Sequence, residues 1–323
     1  MPALPQQITF TGDVHEPYDL SAVVSFTVDG VPCLAIGSDE SAQPVQILRQ
    51  VSPHVYQVAT DLEIMLPAAD DDEIDIESLA FENGELYVIG SHSRKRKRVK
   101  PREKTAAQNR ERLTKIKTEA TRNQLFHLRL NPDSGKIKGE IYSSDGLAHL
   151  CGKDPYLKDF VELPSKENGI DIEALAVKDG TLYLGFRGPI LRGNYVPVVV
   201  TSFDDLASYR IRFVNLNGLA IRDMTAVRDG FLLIAGPMGD APGPYGIYFW
   251  DGTDMVYGTD APAPMPPALT RLEEIPPIYD ASGAQGKAEG ITVLQETEVS
   301  FLVIVVYDSL ENGGAQLWHV VKG

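Results

Sequence analysis

Cysteine is nearly absent: Cys33 and Cys151 stand far apart with no metal-ligand spacing around them, which excludes a disulfide framework and a thiolate metal centre. Long apolar runs are missing too. The longest, Phe301 to Val306, has the length of a buried strand and falls far short of a membrane span, so no membrane partner is expected. No G-x-S-x-G elbow, Walker loop or H-E-x-x-H pair occurs, which removes the usual templates for serine hydrolysis, nucleotide binding and zinc peptidase chemistry. The stretch MPALPQQITFTG has no basic n-region and no apolar h-region. With two free thiols, this gives an expected residence in the cytoplasm, or in the periplasm if a leader has been removed.

Charge is short on one side. The net value of −15 averages two unlike parts. Arg94 to Arg122 holds 13 Lys/Arg against 3 Glu, and the remainder holds 17 Lys/Arg against 42 Asp/Glu. An acidic body therefore carries one basic segment.

What is present is repetition. D-I-E-A-L-A-V-K-D-G-T-L-Y-L-G-F-R-G from Asp171 is nearly matched by D-I-E-S-L-A-F-E-N-G-E-L-Y-V-I-G-S-H from Asp75, and I-R-D-M-T-A-V-R-D-G-F-L-L-I-A-G-P follows from Ile221. Weaker copies begin at Lys287 and Asp19. Each copy is a short strand, a turn such as Asn83-Gly84, Asp179-Gly180 or Asp229-Gly230, and a second strand of β-branched and aromatic residues. Further strand candidates follow, among them VPVVVTS, YRIRFVNL, GIYFWDG and DMVYG. About four strands per copy is the make-up of a propeller blade. The expectation is one all-β domain over 1–323, a five-bladed β-propeller with six blades as the alternative count. A basic, partly helical insertion at 94–122 lies in blade 2. The strand ITFTG is expected to pair with AQLWHVVK and close the ring, which removes an exposed sheet edge.

In a propeller the first strand of each blade lines the channel, and the second returns to the same opening. Matching the five copies to one another aligns Ser21, Glu77, Glu173, Asp223 and Glu289, with Asp19, Asp75 and Asp171 two residues earlier. The returning strands bring Asp39, Glu40, His92, Arg94, Arg187 and Asp308 to that mouth. His127 and His319 fall in apolar strands and read as core or interblade contacts. Converging carboxylates must take up a cation, pair with Arg, or hold protons at raised pKa. Oxygen-only ligation favours a hard cation, and Ca²⁺ suits an irregular cage. Glu77, Glu173, Asp223 and Glu289 are therefore the candidate metal ligands, and Glu173, Arg187 and His92 the candidate catalytic groups. The alternative is that these side chains only stitch neighbouring blades together.

The repeated D-x-[ES]-[AGS]-[LI]-[AT] at the inner strand resembles that of the SdiA-regulated propellers and the esterase-like phytases. It is most similar to a related bacterial propeller family classed as a domain of unknown function. The resemblance implies a five- or six-bladed propeller with an acidic channel, calcium binding or phosphoester hydrolysis, and inner-strand glutamates at Glu77, Glu173 and Glu289. Ser21 and Asp223 depart from that pattern.

Within the insertion, Pro101 and the lack of periodicity imply a loop first. The Ala, Gln, Glu, Arg and Lys content of Thr105 to Arg122 favours helix. The segment leaves from the channel mouth and reads either as a lid attracting an anionic small molecule or as a solvated excursion neutralised by the acidic body. Nucleic acid is disfavoured as a partner because no aromatics interleave the charges. The Pro-rich stretch from Ala261 to Pro267 reads as a long connection. The functional expectation is a calcium-binding propeller that binds or hydrolyses an anionic small molecule, with a phosphoester as the candidate. The alternative is a non-enzymatic interaction module that presents the propeller face and the basic insertion.

Overall fold

Asp29-Gly30, Asn83-Gly84 and Asp179-Gly180 each place two consecutive residues at positive φ, the backbone that a tight hairpin between right-twisted strands demands. These turns join the first two strands of the first three blades. The computed structural model describes residues 4–39, 45–67, 74–283 and 285–323, and within them five antiparallel sheets carry the repeat. From the axis outward, blade 1 is Leu20–Val28, Val31–Ser38, Gln46–Ser52 and Val55–Val58. Blade 2 is Ile76–Glu82, Glu85–Gly90, Leu125–Arg129 and Tyr142–Ser144. Blade 3 is Asp171–Lys178, Thr181–Gly188, Tyr195–Thr201 and Arg210–Asn215. Blade 4 is Ala220–Val227, Gly230–Gly236, Tyr245–Trp250 and Leu269–Ile275, and blade 5 begins with Lys287–Glu296, Ser300–Asp308 and Gln316–Val321. Each inner strand packs on the next, and that of blade 5 packs on that of blade 1. The ring is closed, and it has five blades.

Closure is achieved differently from the expected pairing. Gln6–Gln7 pairs with Leu317 and Gln316 as the outer strand of blade 5, and the Ile8 amide donates to the Ala315 carbonyl at 2.8 Å. Thr9–Thr11 then runs parallel to Val55–Gln57 as a fifth strand of blade 1. The residues of ITFTG thus belong mostly to blade 1, and the N-terminal segment fastens the first blade to the last. DMVYG forms no strand. The fourth strand of blade 4 is Leu269–Ile275, reached over the Pro-rich connection.

The core lies between blades. Leu175, Phe186 and Val198 of blade 3 pack with Ile221 and Leu233 of blade 4, all fully buried. Apolar side chains on both faces of the inner strands explain their near-continuous hydrophobic runs. Among the described residues no helix is long and apolar enough to cross a membrane.

The insertion folds onto the propeller as a small unit. Lys95–Arg96 pairs with Ile116–Lys117, and the helix Ala106–Leu113 lies between them. Thr105 Oγ1 accepts from the Gln108 amide at 3.2 Å and Gln108 Oε1 accepts from the Thr105 amide at 3.0 Å, a capping box. Helix was expected on to Arg122 but stops at Leu113. Thr114, Ile116 and Thr118 alternate β-branched residues there, which suit the short strand better than another turn.

Candidate metal and anion site at the channel mouth

All five inner strands break register against their second strand at one equivalent place: between Leu20 and Ala22, Ile76 and Ser78, Ile172 and Ala174, Ile221 and Asp223, and Ala288 and Gly290. A β-bulge adds one residue and re-aims its side chain. The added residues are Ser21, Glu77, Glu173, Arg222 and Glu289. Aligning Asp223 with the glutamates is therefore wrong by one position. In blade 4, Val227 pairs with Gly230, so the turn is Arg228-Asp229 and not Asp229-Gly230. Gly230 is required by packing instead, since a Cβ there would lie 2.2 Å from the Trp250 carbonyl oxygen.

Asp223 is spent between blades. Its Oδ1 accepts from Ser78 Oγ and its Oδ2 from the Ile291 amide, both at 2.7 Å. Ser78 Oγ in turn accepts from the Leu175 amide at 3.0 Å. Burial pushes the Asp223 carboxyl well up, against the pull of these donors. Asp223 is among the stitching groups and does not line the mouth.

The mouth is a cavity of about 550 Å³. Its floor holds Glu77, Glu173 and Glu289, with Arg187, Asp39 and Asp308 from the returning strands and Asp75 beside them. Its roof is the insertion: Arg96, Lys97, Arg98 and Arg112 overhang it, and Lys166 stands at the rim. Arg96 is tied to Glu167, and Arg94 lies outside the cavity on Glu162 at 2.7 Å. Lys97 and Arg98 form no ion pair among the described residues. Glu40 lies outside the described residues.

Charges on the floor are unevenly matched. Glu173 faces Arg187 through Oε1 and Arg222 through Oε2, the latter at 3.0 Å. These are ion pairs without aligned hydrogen bonds. Arg187 also holds Asp171 Oδ2, its Nε donating at 2.7 Å. Arg222 reaches on to Glu289, and Lys287 pairs with Asp308. Glu77 has no hydrogen bond or ion pair among the described residues, and Asp171 Oδ1 is buried without a partner. Glu77, Asp171 and Glu173 each present an oxygen within 4.8 Å of the others, so this triad can hold a metal ion.

Burial and the neighbouring Glu173 and Asp75 push the Glu77 carboxyl well above its usual range. Burial lifts Glu173 to about 8 although Arg187 and Arg222 pull it down. Asp39 is raised by burial and then by Asp75 and Glu289. Arg187 and Arg222 stay charged, because the surrounding carboxylates outweigh their own burial.

His92 does not reach the cavity. It sits at φ 55° with Nδ1 2.8 Å from the Gly90 carbonyl oxygen, and burial lowers it to about 4, so its ring is neutral. His127 pairs with Glu85 and stacks on Tyr87 at 4.5 Å between ring centres, and His319 is exposed. Sequence reasoning missed Arg222, because matching the copies puts Asp223 in the glutamate position. It also missed Arg122, which reads as the end of a solvated basic run but is buried against Asp75.

The chain belongs to the family described as "Protein of unknown function (DUF3616)", which matches residues 19–321. No curated protein matches it. Among solved structures it is similar to a hypothetical protein from Leishmania major, at 14% identity over 100% of this chain and 94% of the other, with a TM-score of 0.48. A mannose phosphorylase from Leishmania mexicana in complex with phosphate ion gives 11% over 99% and 88%, TM-score 0.44. An exo-β-1,3-galactanase from Phanerochaete chrysosporium gives 11% over 98% of this chain and 63% of the other, TM-score 0.46. These are likenesses of overall fold.

Proposed function

We propose that this DUF3616 protein is a calcium-dependent binder of an anionic small molecule, a phosphoester, seated between the acidic floor and the basic roof of the mouth. One observation carries the reading: among the described residues Glu77 has no hydrogen bond or ion pair and Asp171 Oδ1 no hydrogen bond, and these two carboxylates each present an oxygen within ligand range of Glu173 at the floor of that cavity. Leaving buried anionic oxygens unpaired is costly, and a cation relieves it. The donors are all oxygen and come from two blades in irregular array, which suits Ca²⁺ better than the strict octahedron of Mg²⁺. When bound, the ion would supply a positive charge able to polarise a phosphoryl oxygen.

The chain's own residues do the rest. Lys97 and Arg98 give the roof the positive charge that an ester anion needs, while Lys166 at the rim is paired with Asp240. Arg187 and Arg222 hold Glu173 rigid, and with both its oxygens paired Glu173 is poorly placed to activate water. For hydrolysis the suitable base is Asp39, whose Oδ1 lacks a hydrogen bond and whose carboxyl is raised. The inner-strand resemblance to the esterase-like phytases is what suggests a phosphoester.

A second reading, a non-enzymatic interaction module, is favoured by one feature. Arg102, Lys104 and Arg110 are exposed on the insertion and do not line the cavity. Thermal melts of chelator-treated protein separate the readings. Calcium at a hundredfold excess over its dissociation constant should stabilise the native state by about 2.7 kcal/mol, and Glu77→Gln should abolish the shift. A phosphoester panel with and without calcium then tests ligand binding and turnover. A wild-type melt that ignores calcium would leave the carboxylates as blade stitching.

A further inference from the structure

Four of the five bulges carry Ser21, Glu77, Glu173 and Glu289, and the fifth carries Arg222. Its side chain is 2% exposed. Nε lies 3.0 Å from Glu173 Oε2, one terminal nitrogen meets Glu289 Oε1, and the other is 3.4 Å from the Pro237 carbonyl oxygen. A guanidinium buried between two carboxylates puts positive charge there that can neither exchange nor be lost.

The consequence is an electrically divided ring. On blades 3 to 5, Asp171, Glu173, Glu289 and Asp308 meet Arg187, Arg222 and Lys287. On blades 1 and 2, Asp75 meets Lys95 and Arg122, while Glu77 has no ion pair or hydrogen bond among the described residues. We infer that Arg222 is a built-in cation that fills the Glu173–Glu289 position permanently and so restricts the ring to one exchangeable ion, on the Glu77–Asp171 side. The single-ion clause rests on the calcium reading above; the role of Arg222 as a cation substitute does not. It is a positioning residue, acting through the two glutamates that it holds apart from solvent ions.

The test counts ions. Chelator-treated wild type, Arg222→Ser and Arg222→Lys are dialysed against calcium, and bound metal is measured per chain. Arg222→Ser leaves the two glutamates facing an emptied position and should bind one calcium more than wild type, whereas Arg222→Lys keeps the charge and should not. Adding Glu289→Gln to the serine variant should remove the extra ion. A folded Arg222→Ser protein with the wild-type count would overturn the inference. Should the serine variant not fold, Arg222→Gln keeps the bulk but loses the charge, and calcium should bind about tenfold more tightly because a nearby repulsive charge is gone. An unchanged calcium response in Arg222→Gln would equally overturn it. If wild type takes up no ion and Arg222→Ser takes up one, the role of Arg222 stands and the proposed function fails.

Discussion

The Arg122 guanidinium lies 2.5 Å from the Asp75 carboxylate, and each side chain is 1% exposed. Asp75 opens blade 2 and Arg122 closes the insertion. On the other stem Lys95 reaches the same carboxylate at 3.0 Å. Both stems of the insertion therefore end on one buried charge. Removing Arg122 would strip a buried anion of its closest partner, a change that costs about 3–5 kcal/mol in comparable pairs. Arg122→Ala should lower the urea midpoint by an amount of that order, less whatever Lys95 recovers. Replacing both members, Arg122→Met with Asp75→Asn, should cost less than Arg122→Ala alone. Wild-type stability in Arg122→Ala would remove the pair from the list of structural contacts.

The same relationship divides the insertion into root and roof. Deleting residues 94–122 entirely would leave Asp75 unpaired, and such a chain should be strongly destabilised. Replacing only Arg98–Thr114 by Asn-Gly keeps Lys97 and Lys115, whose 3.0 Å backbone bond already closes the hairpin. That variant should melt within a few degrees of wild type. It should also bind a phosphoester more weakly, because Arg98 and Arg112 leave the roof, and the deficit should shrink as salt rises. Equal affinity at low salt would show that the roof takes no part in binding.

Asp223 offers a contrast with the ion ligands. Asp223→Ala leaves the Ile291 amide and Ser78 hydroxyl without their acceptor, at about 1–3 kcal/mol for each buried group. Denaturation should register that loss, yet the calcium-induced shift in melting temperature should match wild type. A lost calcium response in folded Asp223→Ala would return this residue to the ion site.

The floor carboxyls also set a pH dependence. Glu173 is raised from its usual 4.5 to about 8, and Glu77, Asp39 and Asp223 move in the same direction. Between those two values the folded chain binds more protons than the unfolded chain. Stability in chelator should therefore fall as pH climbs from about 5 to about 8. Calcium takes the place of the protons at Glu77 and Asp171, so its affinity should rise with pH and the fall should flatten. Melting curves in chelator and in calcium across that range check both slopes. A stability that rises with pH in chelator would contradict the raised carboxyls.

How far the chain speaks for itself depends on the range of the interaction. Asn83-Gly84 and Asp179-Gly180 declare their hairpins because a two-residue turn with positive φ needs little beyond its own residues. Repeating that hairpin with alternating apolar strands prescribes blades, and the five copies prescribe their number. Glu77 and Glu173 could be placed at the mouth for the same reason, since each lies the same number of residues before its own Asx-Gly turn, and Glu289 by the match of its copy to theirs. Asp223 broke that rule: blade 4 turns at Arg228-Asp229, one residue before the Asp-Gly pair that resembles a turn. A glycine needed against the Trp250 carbonyl looks the same in a sequence as a glycine needed for a bend. Only the packed third strand tells them apart.

Local sequence alone therefore determined the blade, the acidic character of the inner strands and the basic excursion in blade 2. Tertiary structure decided which charges became partners. Arg122 is separated from Asp75 by 47 residues and Arg222 from Glu289 by 67, and nothing local predicts either pair. Arg222 meets Glu289 because closing the ring brings buried carboxylates from several blades into one small volume, and Arg122 meets Asp75 because the insertion returns to blade 2 beside the start of its first strand. The carboxylates' mutual repulsion and desolvation are relieved by whichever cation the fold brings within reach. The unpartnered oxygens of Glu77 and Asp171 are what remains after that matching, and only the closed ring could reveal them.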